Sequence, residues 1–313
     1  MNNIYRILQS LWGLYLYNKY RRIYLKNPVQ AADSLFYKIY HRHMNLESPH
    51  HLIEKITWMS LYTDTSLWTL CADKYRMRTF VKEKGLDQFL PKCLGHWENA
   101  NNININELPN QFVLKANNGC GTVILVKDKS KLNHSNLKKE MNKWLRKPFG
   151  YMGAQKHYLS IRPCILAEEL LKQSEEYNKL SPKSMVDFKV WCFNGIPESI
   201  LVVYNRNHKT ISLDLFDINW NSIAKHLQTN STDKYHPEIK IPRPKHLDQM
   251  IETAKILAKD FKEVRVDFYE TEEKAVIGEL TFTSGYGYFT DEYYNYLGDK
   301  IDLSDCKKNN DNK

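Results

Sequence analysis

Val264-Arg-Val-Asp-Phe-Tyr269 and Gly278-Glu-Leu-Thr-Phe-Thr-Ser-Gly285, separated by a turn-like stretch at 270–274, read as the two strands of one hairpin. Successive side chains of a strand alternate between its faces, so Arg265 and Asp267 share one face of the first run. Glu279, Thr281 and Thr283 share one face of the second. Pairing the runs across the turn brings Asp267 beside Glu279. Adjacent carboxylates raise one another's pKa unless a cation lies between them. Hard oxygen ligands of this kind suit Mg²⁺, which also takes phosphate oxygens and waters. The competing reading is a solvated face whose charges pair with Lys or Arg. The following loop, Thr283-Ser-Gly-Tyr-Gly-Tyr288, is rich in glycine and hydroxyls, which argues against a purely structural edge.

A second hairpin lies upstream, in Phe112-Val-Leu-Lys-Ala-Asn-Asn-Gly-Cys-Gly-Thr-Val123. Its loop can aim several backbone N–H groups at a phosphate, its glycines allow close approach, and Lys115 stands just before it. Asn-Gly is also the commonest hairpin turn, and on local grounds the turn-only reading leads. Between the hairpins, Leu166-Ala-Glu-Glu-Leu-Leu171 joins an apolar strand to two carboxylates, as expected where adenine lies on backbone and a ribose needs an acceptor. In Asp187-Phe-Lys-Val-Trp-Cys-Phe-Asn-Gly195, Asp187 and Lys189 share a face opposite Phe188 and Val190, and Arg206 ends the next strand.

Helical patterns are expected at 33–43, 51–61, 66–84, 134–146 and 245–261. Strands are expected at 111–116, 122–127, 164–171, 186–194, 200–204, 211–217, 263–269 and 274–282. Strands in adjacent pairs with hairpin-length gaps favour a mostly antiparallel α+β architecture over a doubly wound sheet. At the start, Ile4, Ile7, Leu8, Leu11 and Tyr15 stand at helical spacing before the basic group Lys19, Arg21, Arg22 and Lys26. Such a helix either lies on an anionic membrane or docks on the protein's own core, and docking is the commoner arrangement.

The 313 residues suffice for one large unit or two to three small ones. An excess of 45 basic over 36 acidic residues, a formal charge of +9, favours anionic partners such as nucleotides, nucleic acid or acidic membrane. The six cysteines show no C-x-x-C spacing and no paired histidine, so reduced thiols in a cytoplasmic protein are expected, without a zinc site. The apolar stretch 7–17 is too short to span a bilayer and lacks a signal-peptide cleavage site. The basic residues form no aromatic-interleaved nucleic-acid motif, and no internal repeat is present.

Together with Ala72-Asp-Lys-Tyr-Arg-Met-Arg78, these segments stand in an order that resembles the ATP-grasp superfamily, specifically its teichuronopeptide-biosynthesis (TupA-like) branch, over residues 48–303. The resemblance implies an ATP-grasp fold: two mostly antiparallel β lobes sandwiching ATP, with an added N-terminal helical region. It divides the chain into a helical region at 1–50 for membrane-surface or acceptor contact, an N-terminal lobe at 51–110, a central lobe at 111–171, a C-terminal lobe at 172–303 and a disordered tail at 304–313. By position, Lys74 and Lys115 look like the lysines that hold the nucleotide phosphates. Asn117, Asn118, Gly119, Gly121 and Thr122 look like the mobile phosphate loop, and Glu168 and Glu169 like the hinge that receives adenine and ribose. Lys189 and Arg206 resemble further triphosphate contacts. Asp267, Glu279 and Thr281 match the Mg²⁺ ligands, and Arg265 the arginine that stabilises the reacting acyl centre. Thr281 stands where the wider superfamily commonly has Asn, and the TupA-like branch itself carries Thr there. Ser284, Gly285 and Tyr286 fall in the loop expected to select the acceptor.

The implied reaction is ADP-forming ligation of a carboxylate to an amine, with ATP and Mg²⁺ as cofactors. The branch suggests a sugar uronate or an amino acid as carboxylate, and an amide on a capsule or O-antigen polysaccharide as product. The N-terminal basic helix keeps open, as an accessory property, peripheral contact with the inner face of the cytoplasmic membrane or with the polysaccharide machinery. Two other classes stay open. One is phosphotransfer to a sugar hydroxyl by the same lobes. The other is a non-catalytic module for RNA or an anionic membrane, whose binding would collapse with salt.

Overall fold

The computed structural model describes residues 2–207, 210–228 and 234–308, with side chains from residue 12 onward. The chain opens with helices α1 (Asn2–Lys26), α2 (Pro28–Tyr40), α3 (Leu52–Tyr62), α4 (Ser66–Ala72) and α5 (Met77–Glu83). Side chains of Ile4, Ile7, Leu8 and Leu11 lie outside the described residues. α2 starts at Pro28, five residues before the expected pattern, because Asn27 caps it by accepting the Gln30 N–H and Pro28 fits the first turn. The single helix expected at 66–84 is broken in two. Asp73 accepts the N–H groups of Tyr75 (2.8 Å) and Arg76 (3.0 Å), and this local side-chain capping replaces helical hydrogen bonds.

The first sheet contains β1 (Cys93–Trp97), β2 (Phe112–Ala116), β3 (Val123–Val126) and, after helices α6 (His134–Arg146) and α7 (Lys156–Leu159), β4 (Ile165–Glu169). Its order is β1-β4-β2-β3, with antiparallel neighbours throughout. Phe112, Leu114, Ile165 and Ala167 form one face and pack with Leu137 and Met141 of α6. Lys115 and Glu168 belong to the other face.

The second sheet follows α8 (Glu175–Leu180) and contains β5 (Asp187–Phe193), β6 (Ile196–Tyr204), β7 (Ser212–Asp217) and, after α9 (Leu247–Ala258), β8 (Glu263–Glu270) and β9 (Ala275–Thr281); helix α10 (Asp291–Asp299) comes last. The order is β7-β6-β5-β8-β9, again antiparallel. Phe188, Val190, Ile200, Val202, Val266 and Phe268 share a core with Met250, Ala254 and Leu257 of α9. Each large apolar side chain fully buried there contributes about 1.5–3 kcal/mol. The opposite face of the same strands carries Asp187, Lys189, Arg265 and Asp267. β6 begins at Ile196 rather than at 200, because Asn194 and Gly195, with φ of 50° and 79°, close a two-residue turn of the I′ kind directly after β5.

The architecture is therefore the expected α+β arrangement of two antiparallel sheets with added N-terminal helices. Near the end, Lys262 pairs with Asp305 at 2.6 Å and Lys308 lies over the Trp58 ring at 5.5 Å. The remainder of the expected tail, 309–313, lies outside the described residues.

Candidate nucleotide and metal site

In the β8–β9 hairpin Asp267 stands opposite Glu279, and Arg265 opposite Thr281. A register shift follows directly after Asp267, and Gly278 occupies the extra position. A Cβ at Gly278 would come within 3.0 Å of the Tyr269 ring and 3.3 Å of the Asp267 carbonyl, so the bulge needs glycine for close approach. β5 lies on the other side of β8 and sets Lys189 opposite Asp267.

These side chains form an unbroken row of alternating charge. Arg206 pairs with Asp187 at 2.8 Å, and Asp187 lies 3.6 Å from Lys189. Lys189 donates to Asp267, which also accepts two bonds from Arg265, at 2.6 and 2.7 Å. Arg265 stands 3.7 Å from Glu279 and donates to the Thr281 hydroxyl at 3.2 Å. Glu279 then pairs with Lys74 at 3.0 Å, and Lys74 donates to the Gly119 carbonyl at 2.7 Å. The row thus crosses from the second sheet to the loop of the first. Burial alone would raise the Glu279 carboxyl, but Lys74, Lys189 and Arg265 hold it well below the usual carboxylate range. Burial opposes the charge on Arg265, yet Asp267 and Glu279 keep its guanidinium firmly protonated.

The donor set fits a magnesium ion. Asp267, Glu279 and the Thr281 hydroxyl, 3.4 Å from Glu279, are hard oxygens on one face, and Glu279 is held ionised. Among the described residues no group of three or more His, Cys, Asp or Glu side chains gathers as a metal cluster. Two carboxylates and a hydroxyl leave most of a magnesium shell to phosphate and water, as Mg²⁺ prefers. Lys and Arg do occupy those carboxylates, as the competing reading has it, but the face is buried rather than solvated, with Asp267 2% and Arg265 6% exposed.

The loop 117–122 sits over this row. Asn117 is its fixed end, donating to Asp73 (2.8 Å) and the Arg162 carbonyl (3.0 Å) and accepting from the Cys164 N–H (2.8 Å). Gly119 has φ +70°, and a Cβ there would meet Phe149 at 2.5 Å. Gly121, at φ +75°, faces open space. Cys120, exposed at the tip, lies in the field of Glu279, Lys74, Arg206 and Arg265. Lys115 pairs with Glu168, whose other oxygen lies 3.3 Å from Arg78.

The family model described as TupA-like ATPgrasp matches residues 54–302. The chain belongs to this family. No curated protein matches it. Among solved structures it is similar to the D-alanine–D-alanine ligase from Bacillus anthracis complexed with ATP, at 14% identity and a TM-score of 0.47, over 76% of this chain and 67% of that one. It is also similar to the L-amino acid ligase from Bacillus licheniformis, at 11% and 0.44, over 87% and 55% of the two chains. For the ATP-grasp ligase PsnB complexed with minimal precursor, Mg and ADP, the values are 12% and 0.37, over 75% and 58%. The TupA-like chain thus spans between about half and two thirds of the length of these proteins.

In this TupA-like protein Glu168 and Glu169 separate. Glu168 faces Lys115, whereas Glu169, on the opposite face, accepts the Lys92 N–H at 2.7 Å. Consecutive strand residues must diverge in this way. Ser284 is buried, and its hydroxyl donates to the Glu263 carboxylate at 3.3 Å. The Gly285 carbonyl accepts from Tyr294 at 3.0 Å, and a Cβ on Gly285 would strike the Tyr288 ring at 2.3 Å. Burial pushes the Tyr286 phenol up; its ring lies 6.4 Å from that of Tyr40, and Gly287 N–H donates to the Tyr40 hydroxyl at 3.2 Å. The loop is thus stitched to α2.

Sequence reasoning did not assign Asp187, Glu263, Trp191, Asp73 or Arg78 to the site. Trp191 underlies the Arg265 guanidinium at 5.2 Å, and Asp73 anchors Asn117. Asp187 and Glu263 each lie two positions before an assigned cation on the same strand face, so the alternation that found Lys189 and Arg265 contains the signal for both.

Proposed function

We propose that this chain is an ATP-dependent carboxylate–amine ligase that forms an amide through an acylphosphate. The observation that carries the reading is the row of alternating charge from Arg206 to Lys74, ending on the carbonyl of the glycine-rich loop. Of the cations in the row, Lys74, Lys189 and Arg206 suit a triphosphate, and Lys115, paired with Glu168 in the first sheet, adds a fourth. Lys74, Lys115, Lys189 and Arg206 bind and orient the phosphates. Magnesium, held by Asp267, Glu279 and Thr281, supplies charge neutralisation there when bound. A carboxylate oxygen attacks the γ-phosphorus and ADP leaves. The amine then displaces phosphate from the acyl carbon and gives up a proton. Arg265, rigid and protonated, offers positive charge where the tetrahedral oxyanion develops, worth about 3–4 kcal/mol of barrier. The loop 117–122 closes over the site and keeps water from the acylphosphate.

The carboxylate in this proposal is a sugar uronate and the amine an amino acid or amino alcohol. The amide decorates a bacterial capsule or O-antigen, and the protein works in the cytoplasm at the inner face of the membrane. Family membership supports this substrate class by analogy. The test is a screen for ADP release, with uronates against a panel of amino acids and amino alcohols. ADP and phosphate should appear with an amide product, and only when both substrates are present. ADP with a phosphorylated sugar and no amide would instead establish a kinase. No nucleotide turnover with any pair would sink both.

A further inference from the structure

We propose that the outer face of α1 docks the protein on an anionic lipid surface. The helix has two sides. Tyr20 is buried, and Leu16, Tyr17, Ile23 and Tyr24 are partly buried, at helical spacing. Tyr17 and Tyr24 meet the ring of Tyr151 at 5.6 and 5.5 Å, and the Lys147 ammonium lies over Tyr17 at 4.7 Å. Docking on the protein's own structure thus accounts for that side.

The other side is not covered. Trp12 (62% exposed) and Tyr15 (55%) stack in solvent with ring centroids 5.4 Å apart, and Leu14 (51%) and Leu25 (62%) are exposed farther round the helix. Lys19, Arg21, Arg22 and Lys26 are exposed among them. Tyr15, Lys19, Arg22 and Lys26 follow one stripe at i, i+4, i+7 and i+11. Not one acidic residue occurs between Asn2 and Lys26. Tryptophan and tyrosine favour the headgroup level of a bilayer, and lysine and arginine neutralise its anionic lipids, so one flat partner satisfies both kinds of side chain. A second copy of the same face would set like charges against each other. No described helix is long and apolar enough to cross a membrane, so the contact lies on the surface.

The docking face is tied to the catalytic lobes. Lys147 and Tyr151, which hold α1, flank Phe149, the side chain packed against Gly119 of the glycine-rich loop. The lipid plane and the loop therefore keep a defined relation. This inference stands on surface chemistry and does not depend on the ligase reading.

The experiment is flotation of the full chain with phosphatidylcholine vesicles, with and without phosphatidylglycerol, at low and high salt. The variants are Lys19→Glu/Arg22→Glu/Lys26→Glu and, separately, Trp12→Ser/Tyr15→Ser. All five positions are exposed, and circular dichroism checks that each variant is folded. Binding to the anionic vesicles, lost at high salt, is expected. The charge variant should partition at least about a hundredfold less, since each basic residue adds several-fold, and the Trp12/Tyr15 variant should also bind less. Absent binding, equal binding to neutral vesicles, or wild-type partitioning by the charge variant would overturn the proposal. So would a dimer that the Trp12/Tyr15 variant abolishes without vesicle binding, or capture of RNA in place of vesicles.

Discussion

Asp267→Asn tests the row of alternating charge at its centre, and separates its structural cost from its chemical one. Asp267 is 2% exposed and holds three contacts: two from Arg265, at 2.6 and 2.7 Å, and one from Lys189. Removing one partner of a buried pair typically costs about 3–5 kcal/mol, because the other charge is left without compensation. Here part of that loss is taken up, since Lys189 keeps Asp187 at 3.6 Å and Arg265 keeps Glu279 at 3.7 Å. The expected destabilisation is therefore near the lower limit, about 3 kcal/mol. Urea denaturation should show a lower midpoint with an unchanged slope, the sign of lost stability without a change in compactness. Adding Lys189→Met to Asp267→Asn removes one stranded ammonium. It should restore about 1–2 kcal/mol as a positive coupling in the double-mutant cycle. ADP release should be absent in both, because neither restores a hard anionic ligand or the phosphate contact. A single variant as stable as wild type, or a double variant less stable than the single, would refute the ion-row energetics. Turnover at wild-type rate in D267N would refute the metal assignment.

Three further outcomes follow from particular contacts. Lys74→Met loses the bonds to Glu279 (3.0 Å) and Gly119 (2.7 Å), and nucleotide affinity should fall by one to two orders of magnitude, about 1.5–3 kcal/mol, in a calorimetric titration. Gly119→Ala adds a Cβ 2.5 Å from Phe149 at φ +70°, a local cost of about 1–3 kcal/mol. It should appear as weaker nucleotide binding and easier proteolysis near 117–122, with little change in global unfolding. Burial raises the Asp214 carboxyl to about 6, against an ordinary 3.8. Between those values the folded chain keeps a proton that the unfolded chain has released, so this group costs stability as pH rises through the window. Asp214→Asn should then match wild type near pH 4 and exceed it by about 2 kcal/mol at pH 7, allowing for residual solvation. An equal gain at both pH values would exclude ionisation as the cause.

The parts of the fold legible in the sequence are those set by local periodicity. The β8–β9 hairpin reads correctly because alternation leaves a single choice of face, and the structure pairs Asp267 with Glu279. α6 likewise spans the expected 134–146. Long-range terms decide the rest. β1 carries little strand signal in Cys93-Leu-Gly-His-Trp97, and β4 recruits it, with Gly95 at a register shift where the Trp97 ring leaves no room for a Cβ. α10 was not expected from Asp-Glu-Tyr-Tyr-Asn-Tyr, yet Thr290 caps it and Tyr293, Tyr294 and Leu297 face the core. The break at Asp73 follows from a tertiary demand. Its carboxylate serves both the turn at 75–76 and the Asn117 amide, so the same residue ends a helix and fixes the loop. The inward turn of Ser284 depends on Glu263, a neighbour that no short-range pattern supplies.

That same economy bears on how the site is prepared. Arg265, Lys189 and Lys74 are long side chains that would lose rotamer entropy on meeting a ligand. In this structure Asp267, Glu279 and the Gly119 carbonyl already hold them. If the phosphates and magnesium bind as proposed, the cations exchange one set of oxygens for another nearby, and the carboxylates exchange ammonium and guanidinium for the metal. Little new ordering is then required at the moment of reaction, which is the condition for electrostatic preorganisation. Asp187 is left out of the exchange. It retains Arg206 at 2.8 Å and Lys189 at 3.6 Å, and so can keep these two cations in register while the rest of the row changes partners.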